Sequence, residues 1–218
     1  MINKTNRAFI FDLDGVITET SEYHFMAWKT ICKKIGYDLT REKNEELKGV
    51  NRNKCLDIIM EWAKIRLSEK EIKSLLEEKN SIYKDCIKDL NENDVCEGVL
   101  NFINDAIKNN IKIALYSASR NAKRILCQLK IIDLFTVIID GNNVSNAKPD
   151  PEGFKIAADL TKTNTKDCVV FEDSISGIEG ANKLNMYTVG IGSRDVLKNA
   201  DVVYKGFKNL KIKDIVNV

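Results

Sequence analysis

Six short runs of consecutive apolar residues constrain the fold of this 218-residue chain more than any other feature. They are rich in β-branched and aromatic residues: Ala8–Phe11, Ile111–Tyr116, Phe135–Ile139, Cys168–Phe171, Tyr187–Ile191 and Asp201–Tyr204. Most do not alternate with polar residues, which indicates strands that are buried on both faces. Helical patterns separate the later runs: Val99–Asn109, Ala122–Leu129, Phe154–Leu160 and Ile178–Leu184. This alternation predicts an α/β fold with a doubly wound parallel sheet.

A long helical stretch interrupts the alternation between the first and second runs. Residues 23–35 have apolar positions at helical spacing, and Ser68 with Glu71 forms a capping box that opens another helix. The apolar stripe of that helix comprises Ile72, Leu75, Leu76, Tyr83, Cys86, Ile87 and Leu90. We therefore predict a helical module over residues 18–92, inserted into an α/β core formed by residues 1–17 and 93–218.

The composition excludes several classes of function. The 34 Lys and Arg residues and 32 Asp and Glu residues leave a net charge of +2, and no long basic run stands out, so nucleic acid is not an expected partner. His24 is the single histidine, which excludes sites built from several histidines. No apolar stretch is long enough to span a bilayer and no secretory signal is recognisable. With six scattered cysteines and no Cys-x-x-Cys pair, we expect a cytoplasmic protein with reduced thiols and no membrane partner.

Polar residues follow four of the predicted strands. They occur in the segments Asp12-Leu13-Asp14-Gly15, Ser117-Ala118-Ser119, Ala147-Lys148-Pro149-Asp150 and Glu172-Asp173-Ser174. Ligands of open parallel sheets bind beyond the carboxyl ends of the strands, so these side chains are expected to converge. Each segment alone has a structural alternative: a strand end for the Asp-x-Asp pair, a solvated loop for Lys148 and a helix N-cap for Glu172-Asp173. Their joint placement favours a functional site.

Carboxylates that converge in this way need a cation to stay ionised together. Oxygen ligands suit Mg²⁺, and Lys148 adds a positive charge. Such a centre fits phosphoryl transfer, in which one aspartate attacks phosphorus and the other handles the proton. Gly15 suits a turn that brings backbone N–H groups close to phosphate.

The segment Asp12-Leu-Asp14-Gly-Val-Ile-Thr resembles the first motif of the haloacid dehalogenase-like phosphotransferases, and Ser117, Lys148 and Glu172-Asp173 lie where the later motifs of that family fall. The resemblance implies a Rossmann-like core with a helical cap. More narrowly, the chain resembles the sugar-phosphate mutases of this superfamily over essentially its whole length, through FDLDGVITETSEYHFMAWK, LKGVNR, YSASRNAK, AKPDPE and FEDSISGIEGA. Arg120 stands where the family often has Lys, which alters the reach of this cation. Cys96-Glu97 replaces a Tyr-Pro pair that is common in the family where the chain returns from the inserted helices. The rigidity of this return segment is therefore left open.

The resemblance implies a role for each matching residue. Asp12 is expected to be the nucleophile that forms an aspartyl phosphate, and Asp14 the general acid and base. Mg²⁺ is expected to be held by Asp12, the Asp14 carbonyl, Glu172 and Asp173. The transferring phosphate is expected to bind Ser117 and Lys148. Thr20 is expected to act as a hinge, with a second hinge near residues 91–97, and His24 to orient Asp14.

The same resemblance implies a binding site for the rest of a sugar phosphate. The second phosphate is expected to bind Arg52 of the cap with Ser119, Arg120 and Asn121 of the core, because a guanidinium fork matches phosphate well. The sugar site is expected to include Trp28, Gly49, Val50, Lys79 and Ala118. Whatever the function, Trp28 and the apolar stripe are expected to be mostly core.

Three functions remain open at this point. The first is a monomeric mutase that interconverts β-D-glucose 1-phosphate and D-glucose 6-phosphate, with β-glucose 1,6-bisphosphate as activating intermediate. The second is a Mg²⁺-dependent sugar-phosphate phosphatase with the same Asp12 chemistry. The third, a phospho-accepting receiver-like domain, does not account for the helical insert. The pairing of Arg52 with residues 119–121 favours the mutase, because a phosphatase needs no second phosphate clamp.

Overall fold

The sheet consists of six parallel strands in the order β3-β2-β1-β4-β5-β6. The computed structural model describes residues 7–216 of the chain. The strands are β1 (Ala8–Phe11), β2 (Lys112–Tyr116), β3 (Val137–Ile139), β4 (Cys168–Glu172), β5 (Tyr187–Ile191) and β6 (Val202–Tyr204). The central strand β1 lies between β2 and β4, with Phe11 opposite Leu115 and Phe171. The predicted doubly wound parallel sheet is thus confirmed.

Helices cover both faces of the sheet, which explains why the strands are apolar on consecutive residues. The core helices are α5 (Val99–Lys108), α6 (Ala122–Gln128), α7 (Glu152–Leu160), α8 (Ile175–Asn182) and α9 (Ile212–Val216). Phe9 and Phe11 of β1 pack in one cluster with Phe102 of α5. Ala8 and Ile10 of the same strand pack in a second cluster with Phe154 of α7. Alternate residues of one strand therefore stabilise opposite faces.

Four helices lie between β1 and α5: α1 (Ser21–Lys34), α2 (Arg41–Glu45), α3 (Arg52–Ala63) and α4 (Glu69–Cys86). They bury an apolar cluster of their own around Trp28, Ile31 and Leu56. The predicted capping box opens α4, where Ser68 accepts from the Glu71 amide and Glu71 binds back to the Ser68 amide. The division into cap and core remains a prediction, and residues 1–6 and 217–218 of the predicted core lie outside the described residues.

Two elements are shorter than their apolar patterns predict. The stripe extends to Leu90, but α4 ends at Cys86, and the N–H of the C-cap residue Ile87 donates to the Tyr83 carbonyl. A turn and a single 3₁₀ segment at Glu92–Asp94 follow. Strand β3 begins at Val137 rather than Phe135, because pairing with β2 starts only there. Among residues 7–216, no helix combines the length and apolarity needed to cross a membrane.

Candidate active site

A cavity of about 230 Å³ lies between the carboxyl ends of the strands and the four inserted helices. Its wall contains many of the predicted site residues: Asp12, Asp14, His24, Trp28, Gly49, Val50, Arg52, Lys79, Ala118, Ser119, Arg120, Asn121 and Asp173. Four further predicted residues are buried and do not line it: Thr20, Ser117, Lys148 and Glu172. The fold thus brings the residues from separate segments to one place, and their roles remain predictions.

Lys148 joins the two strand ends that carry most of the acidic residues. Its ammonium donates to Asp12 Oδ1 and Glu172 Oε1, both at 2.5 Å, and to the Tyr116 carbonyl at 3.1 Å. An ammonium has three N–H groups, so the protein uses all of them. Burial opposes the charge of Lys148, but the two carboxylates raise its pKa above the usual range. Lys148 is therefore a buried, permanently charged group, and the solvated-loop alternative for it is wrong.

Three carboxylates beside Lys148 form a candidate metal centre. Asp12, Glu172 and Asp173 each offer an oxygen within 4.8 Å of the others. Burial raises the pKa of Asp12 well above its usual range, and burial with the neighbouring Glu172 raises that of Asp173 to about 7. Asp12 and Asp173 are protonated more readily than usual because they lie in a desolvated place beside other carboxylates. An all-oxygen set with surplus negative charge fits Mg²⁺.

Asp14 is held by a different set of neighbours. Thr20 Oγ1 donates to Asp14 Oδ1 at 2.5 Å, and Tyr83 Oη donates to the same atom at 3.2 Å. His24 Nε2 lies 3.5 Å from that oxygen. Burial alone would raise the pKa of Asp14, but His24, Thr20 and Tyr83 lower it to about 2. Asp14 and Asp12 therefore differ in protonation behaviour although they are two residues apart.

The half-buried His24 and the buried Lys79 form a pair next to Asp14. Lys79 Nζ lies 2.7 Å from His24 Nδ1 and sits over the rings of Trp28 and Tyr83, 5.1 and 5.0 Å from their centroids. When Lys79 is charged it can only donate, so Nδ1 is then the acceptor and the imidazole proton is on Nε2, towards Asp14. Burial and the positive charge of Lys79 lower the pKa of His24, so the imidazole is neutral near neutral pH.

Two guanidinium groups, Arg52 and Arg120, lie on the same cavity wall. Burial and the positive charge of Arg120 lower the pKa of Arg52. Arg52 Nη1 donates to the Leu76 carbonyl at 3.2 Å, which anchors it to α4. Asn121 Nδ2 donates to Asn80 Oδ1 at 3.2 Å, which joins the core to α4. Two cations that repel each other on one wall attract an anionic ligand such as phosphate.

Some residues of the site were not predicted from the sequence. Tyr83 belongs to the apolar stripe of α4, and nothing in its spacing shows that its hydroxyl reaches Asp14. Lys48 Nζ lies 3.4 Å from Asp173 Oδ2, and Ser21 Oγ donates to the same oxygen at 3.5 Å. Asn80 lines the cavity. Lys48 and Ser21 are common surface residue types, so the only signal was their position within the segments LKGVNR and FDLDGVITETSEYHFMAWK.

The whole chain is similar to several known proteins. Residues 9–191 match the haloacid dehalogenase-like hydrolase family. A β-phosphoglucomutase of Bacillus subtilis (strain 168) is 38% identical over 209 residues, which cover 95% of this chain and 92% of that protein. A phosphorylated carbohydrates phosphatase of Thermotoga maritima is 32% identical over 177 residues, which cover 80% and 79%. The crystal structure of a β-phosphoglucomutase from Clostridium difficile superposes with a TM-score of 0.91 at 41% identity, covering 97% of this chain and 96% of that one. The chain therefore belongs to the haloacid dehalogenase-like hydrolase family.

Proposed function

We propose that this protein interconverts β-D-glucose 1-phosphate and D-glucose 6-phosphate through an aspartyl-phosphate enzyme and β-glucose 1,6-bisphosphate. The observation that carries the proposal is that Arg52 and Arg120 line the same cavity as Asp12 and Asp14. A substrate with phosphate at both ends uses both sets of groups. Two of the similar proteins are β-phosphoglucomutases, and they match nearly the whole chain. A monomeric state and a cytoplasmic location are part of the proposal.

Asp12 and Asp14 divide the chemistry. An Asp12 carboxylate oxygen forms a bond to phosphorus while the bond between phosphorus and the sugar oxygen breaks, and Asp14 donates a proton to that oxygen. In the other direction, Asp14 takes the proton of a sugar hydroxyl, whose oxygen bonds to phosphorus as the aspartyl phosphate breaks. Thr20, Tyr83 and His24 hold Asp14 Oδ1 for this exchange. Lys79 sets the tautomer of His24, and His24 in turn orients the carboxyl group of Asp14.

Asp12, Glu172 and Asp173, with the Asp14 carbonyl, would hold Mg²⁺. When bound, the ion supplies positive charge that offsets the carboxylates and the phosphoryl oxygens. Lys148 contributes a second positive charge from within the protein. Because all its N–H groups are already used, it reaches a phosphoryl oxygen only by releasing one acceptor. Asp12 is that acceptor, since it loses its charge when it is phosphorylated. Ser117, which is buried at the end of β2, is the proposed second group on this phosphate.

The proposed sugar site is the part of the cavity between these two ends. Trp28, Lys79 and the backbone at Gly49 and Val50 bound it on the side of the inserted helices, with Ala118 on the core side. Ser119 and Asn121 accompany Arg52 and Arg120 at the second phosphate. The cavity also suits a phosphatase, as in the Thermotoga relative, which makes hydrolysis the second candidate. The third candidate, a receiver-like domain, does not account for the contacts between α4 and Asp14.

The test is to incubate the protein with Mg²⁺, β-D-glucose 1-phosphate and trace β-glucose 1,6-bisphosphate while following both glucose 6-phosphate and free phosphate. We expect glucose 6-phosphate to form much faster than free phosphate. Release of phosphate at a rate equal to or above isomerisation overturns the mutase proposal in favour of the phosphatase.

Arg52→Ala tests the second phosphate clamp. We expect kcat/KM for isomerisation to fall about a hundredfold, because a charge-assisted phosphate contact of about 3 kcal/mol is lost. Hydrolysis of a small phosphate ester, which has no second phosphate, should change by less than threefold. Arg52→Lys should recover part of the loss, since it keeps the charge but not the fork. An equal fall in both activities contradicts the clamp.

A further inference from the structure

The ammonium of Lys148 rests against two aromatic rings. Its Nζ lies 4.7 Å from the centroid of Tyr116 and 5.5 Å from that of Phe154. The two rings meet edge to face, with centroids 4.8 Å apart at 89°. The Tyr116 carbonyl also accepts from Nζ at 3.1 Å. Tyr116 therefore contacts the same ammonium twice, through its backbone and through the face of its ring, where a cation is attracted.

Gly153 makes room for the Tyr116 ring. A Cβ at position 153 would lie far inside van der Waals contact with Cζ and Cε2 of Tyr116. Gly153 lies in the first turn of α7, where glycine costs helix stability relative to alanine. Any larger residue there displaces the end of the Tyr116 ring. The ring and the glycine are thus complementary parts of one contact under Lys148.

The phenol hydroxyl of Tyr116 takes no part in the contact with Lys148. Tyr116 is fully buried, and within residues 7–216 its Oη has no hydrogen-bond partner. A buried hydroxyl without a partner destabilises the folded state. Burial raises the pKa of this phenol to about 12, so it is neutral and exerts no full charge on Lys148. The groups of Tyr116 that act on Lys148 are therefore the face of its ring and its backbone carbonyl.

We propose that Tyr116 is a positioning residue for Lys148, and that Gly153 is required because it admits the Tyr116 ring. The inference rests on the proposed function only in placing phosphoryl transfer at Asp12. When Asp12 is phosphorylated, Lys148 exchanges its bond to Asp12 for one to a phosphoryl oxygen. During this exchange the ring and the Tyr116 carbonyl keep Nζ in place, with Glu172 as the third contact. Tyr116 thereby acts on the transferring phosphate without touching it.

The test compares Tyr116→Leu, Tyr116→Phe and Gly153→Ala, with Phe102→Leu as a control for the loss of a buried ring. Phe102 stacks on Phe9 in the cluster on the opposite face of the sheet. We expect Tyr116→Leu and Gly153→Ala to lower kcat about tenfold with KM changed by less than twofold, since one desolvated cation–π contact corresponds to about this factor. Tyr116→Phe should keep kcat within twofold and raise the unfolding temperature. Phe102→Leu should lower the unfolding temperature as much as Tyr116→Leu while keeping the wild-type kcat.

A double variant separates positioning from general destabilisation. A leucine at position 116 lacks the outer ring atoms that a Cβ at 153 meets, so Gly153→Ala should lower kcat by less than twofold in the Tyr116→Leu background. The same comparisons are made on hydrolysis of acetyl phosphate, which needs phosphoryl transfer to Asp12 but no sugar, so they hold even if the mutase proposal fails. A wild-type kcat in Tyr116→Leu overturns the inference, as does a tenfold loss in Tyr116→Phe or full additivity of the two substitutions.

Discussion

Lys79 is a buried amine whose protonation depends on the fold. It is 3% exposed, and its charged or titratable neighbours are His24, Arg52, Asp14, Cys55, Cys86 and Tyr83. Burial, with the positive charge of Arg52, lowers its pKa from 10.5 to about 7. Between these values the unfolded chain binds more protons than the folded one, so the free energy of unfolding rises with pH. The expected increase is up to about 4 kcal/mol from pH 7 to pH 10, at about 1.4 kcal/mol per pH unit.

Urea unfolding at pH 7, 8.5 and 10 measures this effect. Lys79→Met should be more stable than the wild type at pH 7, and the difference should shrink towards pH 10 because only the wild type gains stability from deprotonation. Lys84→Met, on the exposed side of the same helix, should leave the slope unchanged. A parallel pH dependence in wild type and Lys79→Met would show that folding does not lower the pKa of the buried amine.

Single residues differ in how far their chemistry can be predicted from the sequence. Asp12 and Asp173 stand next to apolar strands and Lys148 lies in the loop that follows β3, so their meeting at one edge follows from the order of strands and helices. Tyr83 belongs to the apolar stripe of a helix. Its spacing is the same for a core residue as for a residue whose hydroxyl reaches Asp14. Lys48 meets Asp173 only because two distant loops pack together. Contacts that depend on side-chain reach across elements leave no periodic signal.

At the scale of elements, the loop between α2 and α3 packs directly on the start of α8. Ser176 Oγ donates to the Lys48 carbonyl at 2.7 Å. Gly49 has a φ of +71°, and a Cβ there would lie 2.6 Å from Ser174 Oγ and still closer to Ser176 Oγ. The loop that bounds the proposed sugar site is thus held against the residues that follow the Glu172-Asp173 pair, and only glycine fits.

Gly49→Ala should therefore raise KM for the sugar phosphate about tenfold, because the added methyl group moves this loop away from α8. Gly36→Ala is the matched control: its φ is +75°, but nothing lies within 4 Å of the added Cβ. Both variants should lose about 1 kcal/mol of stability from the left-handed backbone, and only Gly49→Ala should change KM. Equal kinetics in the two variants would mean that the packing of the loop does not shape the site.

Element ends were less predictable than the elements themselves. The bounds of β1 and β5 coincide with their apolar runs, since these strands pair along their full length. The stripe of α4 continues past its last turn because Leu90 still packs against the core cluster after the backbone has left the helix. Burial and helical hydrogen bonding usually end together, and here they do not.

At the scale of the whole molecule, a net charge of +2 conceals a strong local imbalance. Asp12, Asp14, Glu172 and Asp173 come together at one edge of the sheet, where Lys148 and Lys48 offset only part of their charge. The arrangement of strands and helices predicted this clustering. Only the structure shows that Lys48 of the α2–α3 loop pairs with Asp173. The folded state consequently carries repulsion that the unfolded chain does not.

Mg²⁺ should relieve this repulsion and stabilise the folded protein. A ligand at a hundred times its Kd that binds only the folded state adds about 2.7 kcal/mol to the free energy of unfolding, which is an increase of roughly 5–10 °C in unfolding temperature for a chain of this size. Asp173→Asn should be more stable than the wild type without Mg²⁺, because one repelling charge is gone, and should lose most of the Mg²⁺ response. Thermal unfolding of both proteins with MgCl₂, and with NaCl at equal ionic strength, separates binding from screening. An equal shift with either salt, or an undiminished Mg²⁺ response in Asp173→Asn, would show that the carboxylate cluster does not hold the ion.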